Sequence, residues 1–195
     1  MDASAGFPKT MTTLLPPGKA GVAEVTHFTL SEQDVRFANL HTMIHGRRDA
    51  LVSLGRYVML KVNGELVMSD TQMEKRTNRE IVEEAHGRVL VARLGIGLVL
   101  HALAKKKNVT EITVVEKYPD VVTLVNPSLP LGMRVVVADI FKWRPKRGTR
   151  YDTIYFDIWS SICVDNLVEI RKLKRVFRPF LACGGWISAW KEDFR

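Results

Sequence analysis

The chain has 195 residues, 46% of them hydrophobic, which is enough to bury one good core, so we expect one domain with an appendage. Its formal charge of +8 makes it a poor host for a polycationic ligand and leaves polyanionic partners open. No apolar run reaches the length of a membrane span, no apolar stretch follows basic residues at the N-terminus, and the two cysteines, Cys163 and Cys183, lack CxxC spacing, so we expect no membrane, no secretory signal and reduced thiols in a cytoplasmic setting, with a Cys163–Cys183 disulfide left open.

Residues 1–30, rich in Pro, Gly, Thr and Ser, read as a flexible lead-in. Ser31 stands where it would N-cap a helix with the apolar stripe Phe37, Leu40 and Ile44, ending at Gly46. His41 and His45 lie i and i+4 on that helix, but with no third ligand in sight ordinary surface histidines are the simpler reading. Next, YVMLKV and ELVM flank Asn63-Gly64, a pair suited to two positive-φ turn positions, which predicts a β-hairpin. Thr71 to Glu74 spells a capping box in front of a helix reaching Ala85 and closed by Gly87. Residues 31–86 therefore form an N-terminal helix, a hairpin and a capped helix.

From Arg88 the pattern alternates strands with helices. VLVARL is the first strand of this part and LVLHALAKKK its helix; ITVVE is the second strand, and Pro119 with Asp120 opens a helix that stops before Pro127. RVVVAD and TIYFD are strands three and four. Asp165 would cap a helix with the stripe Leu167, Ile170, Leu173 and Phe177, and GGWISAW is strand five. Val and Ile runs of this kind predict a parallel sheet covered on both faces. The fold class is α/β, and residues 87–195 are a Rossmann-like domain of about five parallel strands in the order 3-2-1-4-5, with ligand over the carboxyl ends at the switch beside strand one.

The stretch Gly87 to Glu116 reads as a nucleotide-binding βαβ unit: Gly95 and Gly97 at the first turn, and Glu116 about twenty residues further on for a ribose. Asp139 and Asp157 end the next strands on the same edge. Acids also end strands as helix caps, but core packing alone does not call for three of them together. Lys105 to Lys107, the acid-free run Lys142, Arg144, Lys146, Arg147 and Arg150, and Arg171 to Arg178 concentrate positive charge. They read either as a nucleic-acid footprint or as solvated faces and helix-end cations. Trp159 follows Asp157 on the ligand edge, whereas Trp186 and Trp190 in strand five read as core or interface.

From about Tyr57 to Asp157 the chain resembles the class I S-adenosylmethionine-dependent methyltransferase fold, and within it the spermidine synthase branch. The resemblance rests on NGELVMSD before a capped helix, then GRVLV, LGIG, ITVVEKYPDVVTLV, RVVVADIFKW and YDTIYFD in that order. The KWRPKRGTRYD connector, DIW and DNL are similar to small methyltransferase-like proteins of phages and prophages. It implies S-adenosyl-L-methionine as cofactor, with Leu94, Gly95, Ile96 and Gly97 about its methionine and ribose portion. Glu116 and Lys117 would lie at the ribose hydroxyls, Asp139 and Ile140 at the adenine, and Asp157 facing the reacting group as a base.

The chain also departs from the family. Arg93 stands where the first loop glycine belongs, Val91 where methyltransferases often carry an acid, and Ile96 and Ser160 where the synthases carry acids, which argues against polyamine chemistry. An inward Arg93 would either pair with Glu116 or Asp157 and block the pocket, or grip the cofactor's carboxylate. The last two strands of the full fold are absent, so strand five is an edge to be covered by the hairpin or, more simply, by a second subunit in a homodimer. Three functions remain open: a methyltransferase-like enzyme on a small-molecule or nucleic-acid substrate; a catalytically inactive binding or regulatory module with its pocket blocked by Arg93, acting through the basic surface on nucleic acid or protein; and an aminopropyltransferase.

Overall fold

The computed structural model describes residues 6–44, 51–159 and 164–190, which form two sheets. The first is antiparallel in the order β1 (Gly18–Ala20), β2 (Ala23–Leu30), β3 (Gly55–Val62), β4 (Glu65–Ser69), with helix α1 (Glu32–Ile44) between β2 and β3. Asn63 and Gly64, at φ 53° and 80°, make the β3–β4 turn, as a hairpin of this sequence requires.

The second sheet is parallel and contains β5 (Gly87–Ala92), β6 (Val109–Glu116), β7 (Arg134–Val137), β8 (Tyr151–Phe156) and β9 (Leu181–Ala189). Its order is β7-β6-β5-β8-β9, the expected 3-2-1-4-5, reversing at β5. Alternation along β5 sorts its side chains between two cores. Val89 and Val91 join the cluster with helices α4 (Leu98–Leu103) and α5 (Pro119–Val125), while Leu90 and Ala92 join the one with helix α6 (Val164–Phe177). On α6 the expected stripe packs as read, through Ile170, Leu173 and Phe177, with Leu167 half-buried beside them.

The first sheet shares the α4–α5 core, where Val25, Val58 and Leu60 pack with Val89 and Val91. It is tied to α5 by the Val22 N–H, which donates to Asp120 Oδ2 at 2.9 Å.

The flexible lead-in expected over 1–30 is packed where it is described, over 6–30. Phe7, Met11 and Leu15 are buried, and β1 and β2 fall within the stretch. Buried Asp70 accepts the Met11 N–H at 2.8 Å and the Val58 N–H at 2.7 Å, and Lys75 Nζ donates to the Lys9 carbonyl at 2.9 Å. Three apolar residues four apart and a carboxylate far along the chain outweigh the Pro and Gly content.

The expected helix from Thr71 to Ala85 is two short helices, α2 (Gln72–Thr77) and α3 (Arg79–Glu84), broken at Asn78. Thr71 makes no cap; its hydroxyl meets that of Ser69 at 3.2 Å. Asn78 is fully buried and its side-chain Oδ1 accepts the Tyr155 hydroxyl at 3.2 Å, so core bonding overrides helix continuation. Gly87 opens β5 rather than closing a helix.

Ser31 does cap α1. The Asp34 N–H donates to Ser31 Oγ at 3.2 Å and the Ser31 N–H to Asp34 Oδ2 at 2.8 Å, a reciprocal box with Asp in the acidic position. The apolar stripe Phe37, Leu40 and Ile44 is exposed, Phe37 to 77%. Strand β9 ends the parallel sheet, and the hairpin belongs to the other sheet, so it does not pair with that edge. The expected helix end at Gly46, the histidine pair with His45, the Ser160–Cys163 stretch and the Asp165 cap lie outside the described residues.

Candidate ligand cleft at the switch point

The reversal at β5 leaves room over the carboxyl ends of the strands, and a cleft of about 300 Å³ lies there. Its floor includes Gly95 from the loop after β5, Glu116 and Lys117 at the end of β6, and Asp139 and Ile140 after β7. The roof comes from the β3–β4 hairpin, with Val62, Asn63, Glu65 and Leu66.

Glu116 is the last residue of β6 and is buried. Its Oε2 accepts the Leu94 N–H at 2.8 Å and its Oε1 the Tyr118 N–H at 2.9 Å, so it ties the loop after β5 to the loop after β6. Each carboxylate oxygen can accept a second bond, which leaves capacity for donors from a ligand. Asp139 is half-buried. Its Oδ1 accepts the Phe141 N–H at 2.9 Å and its carbonyl accepts those of Lys142 and Trp143, which shapes the turn that lays buried Ile140 on the cleft wall.

The loop after β5 has left-handed backbone at Arg93, Gly95 and Gly97, with φ of 89°, 54° and 78°. A Cβ at Gly95 would lie 2.6 Å from Met68 Sδ, and one at Gly97 would lie 2.9 Å from Leu129 Cδ2. Both glycines thus admit a neighbouring side chain as well as a turn. Gly97, Leu94 and Ile96 are buried and are not in the cleft lining; Leu94 and Ile96 pack in the α4–α5 core.

Asp157, the first residue after β8, is buried and lines a separate cavity of about 20 Å³ with Met68, Glu74, Trp159 and Trp190. Burial pushes its carboxyl up to about 6, against the pull of the Arg93 charge. Arg93 is half-buried and lines both cavities, so it stands between the cleft and Asp157. Its backbone N–H donates to the Val115 carbonyl at 2.8 Å. Trp159 walls the smaller cavity, its Nε1 donating to Glu169 at 2.8 Å. Trp190 is buried with Nε1 donating to Thr77 at 3.0 Å, and half-buried Trp186 stacks on Tyr155 with centroids 6.0 Å apart.

Sequence reasoning missed the hairpin's part in the cleft and Glu74's in the smaller cavity. The only signal was the hairpin's place shortly before the βαβ unit. Among the described residues no cluster of His, Cys, Asp or Glu has the makings of a metal site, and no helix is long and apolar enough to cross a membrane.

No family model and no curated protein matches this chain. Among solved structures it is similar to DhpI in complex with SAH, with a TM-score of 0.46 and 18% identity over 57% of this chain and 52% of that one. It is also similar to SAM-bound CalS10, an amino pentose methyltransferase from Micromonospora echinaspora involved in calicheamicin biosynthesis, with a TM-score of 0.43 and 20% identity over 58% of this chain and 45% of that one. A third is an S-adenosylmethionine-dependent methyltransferase from Clostridium acetobutylicum, with a TM-score of 0.41 and 18% identity over 56% and 45%. The chain spans about half the length of these structures, and a likeness of this degree assigns no residue a role. The chain has an α/β fold with a Rossmann-like parallel sheet in the order β7-β6-β5-β8-β9.

Proposed function

We propose that the cleft binds S-adenosyl-L-methionine and that the chain is a methyltransferase-like protein. One observation carries this: Glu116 and Asp139, from adjacent strands, meet in a single cleft at the switch point beside Gly95. Carboxylates there suit the hydroxyl and amino donors of an adenosine, and Ile140 offers an apolar wall for a base. The cofactor, when bound, supplies an activated methyl group. The chain's own part is to position and to move a proton: Glu116 anchors the loop and accepts hydroxyl donors, Leu94 and Gly97 hold that loop's shape, and Lys117 sits at the exposed rim. Asp157, at about 6, is mostly ionised at neutral pH and able to take a proton from a nucleophile.

One observation favours the second reading, a binding or regulatory module: Arg93 lies between the cleft and Asp157. Calorimetric titration with S-adenosylmethionine separates the two. Micromolar binding by the unaltered protein supports the first reading, and binding only by Arg93→Gly supports the second. Aminopropyl transfer is the weakest of the three, because Ile96 packs in the core where the synthases carry an acid.

For the partner we propose nucleic acid. Trp143 stacks on Phe177 with centroids 6.4 Å apart, and Arg144 lies 5.3 Å from the same ring, which brings the two basic runs together. Exposed Lys142, Lys146, Arg147 and Arg150 adjoin the α6 end with exposed Arg171, Arg175 and Arg178, one face suited to a phosphate backbone. A second copy pairing along the β9 edge is the homodimer this reading includes.

A further inference from the structure

The cleft holds the acids Glu116 and Asp139, yet two cations line it as well, and the one it shares with the smaller cavity, Arg93, marks its inner end. Lys117 is exposed and lies over the Tyr118 ring at 5.7 Å, whereas Arg93 is half-buried and reaches the smaller cavity beyond. Among the described residues no carboxylate lies within ion-pair distance of the Arg93 guanidinium. The acids that line these cavities with it, Glu116, Asp139, Glu74 and Asp157 among them, form no ion pair with it: both Glu116 oxygens hold backbone N–H groups, and Asp157 feels the Arg93 charge without forming an ion pair.

Arg93 is half-buried, lines a ligand-sized cleft and has no paired acid among the described residues, and a guanidinium fork so placed is completed by a bidentate anion. The backbone points the same way. Arg93 is held at φ 89°, where a side chain is disfavoured, and strain of that kind is retained where the surrounding structure over-determines it, commonly at ligand sites.

We propose that Arg93 is an anion subsite at the inner end of the cleft, so that the preferred ligand is an adenosine carrying a negatively charged group on its 5′ side. This rests on reading the cleft as a nucleoside site and specifies which nucleosides it takes. The anion is the carboxylate of an amino-acid substituent or a phosphate; both chemistries match a guanidinium fork. The arginine thereby selects a ligand rather than closing the site.

The experiment is calorimetric titration of the full chain and of Arg93→Gln with four probes: S-adenosylhomocysteine, adenosine 5′-monophosphate, 5′-methylthioadenosine and adenosine. Thermal melting beforehand checks that the variant is folded, and Arg93→Lys, which keeps the charge without the fork, is carried alongside. The expected result is that at least one anionic probe binds the unaltered chain about tenfold or more tightly than the two uncharged ones, a margin typical of a charge-assisted pair. Arg93→Gln brings all four probes to similar affinity, and Arg93→Lys falls between. The stronger of the two anionic probes identifies carboxylate or phosphate as the source. Equal affinity of charged and uncharged probes for the unaltered chain overturns the subsite and leaves the nucleoside cleft standing. Binding by Arg93→Gln alone overturns it in favour of a blocked pocket. Binding of no probe by any variant overturns the nucleoside cleft and the subsite together.

Discussion

The positive charge of Arg93 acts on the buried carboxyl of Asp157, holding it below the value that burial alone would impose, and the balance leaves that carboxyl at about 6. Below the ordinary value of 3.8, Asp157 is protonated in both folded and unfolded chains and carries no penalty. As pH rises from there the unfolded chain releases its proton first, so folding loses stability until the folded group ionises near 6, and above that the loss is complete. Asp157→Asn is expected to match the unaltered protein near pH 4 and to exceed it at pH 7.5 by an amount on the order of 2–3 kcal/mol. Urea midpoints measured across that range check this. Parallel curves for the two proteins contradict it.

Glycines at two turns separate steric room from backbone strain. Gly95 has φ 54° and a neighbour, Met68 Sδ, 2.6 Å from where a Cβ would sit; Gly64 has φ 80° and nothing within 4 Å. Gly64→Ala is expected to cost about 1 kcal/mol from conformation alone. Gly95→Ala adds overpacking and is expected to cost about 2–4 kcal/mol. Equal costs by chemical denaturation argue that Met68 yields freely.

The N-terminal segment hangs on Asp70, whose two oxygens hold the Met11 and Val58 N–H groups. Asp70→Ala leaves both donors buried without a partner and is expected to destabilise the protein by about 3 kcal/mol. Hydrogen exchange at Met11 is expected to speed more than exchange at Val91, deep in the parallel sheet. Unchanged protection at Met11 contradicts the clamp.

If the joined basic runs hold a phosphate backbone, affinity for a nucleic-acid oligomer falls steeply with salt, and Lys146→Glu with Arg147→Glu lowers both the affinity and the salt slope. Exposed Lys19, remote in sequence from these runs, is the control position, and Lys19→Glu is expected to change little. Binding that is absent at low salt returns the face to ordinary solvated charge.

Much of the fold was legible because its signals are local and agree with one another. Val and Ile runs marked β5, β6 and β7, Asn63-Gly64 marked the hairpin, and the Ser31 position marked the α1 start through its bond with Asp34. What escaped is set by distant contacts. Asn78 breaks a helix because Tyr155 holds it, and Phe7, Met11 and Leu15 pack because Asp70 and Lys75 anchor their segment. At the candidate site, Gly95, Glu116, Lys117, Asp139 and Ile140 lie in one cleft as the strand ends suggest, since a parallel sheet delivers those ends to one edge. Asp157 and Arg93 needed the structure: sequence placed both at the ligand edge, but not Asp157 in a separate small cavity with Arg93 lining both that cavity and the cleft.

The proposed ligand of the cleft is an adenosine. A crystal structure of the protein grown with S-adenosylhomocysteine tests it most directly. The expected density is a nucleoside between the β3–β4 hairpin and the strand ends, its ribose hydroxyls on Glu116 and its base beside Asp139 and Ile140. A cleft that stays empty at millimolar ligand, or a ligand bound away from Glu116 and Asp139, would contradict it.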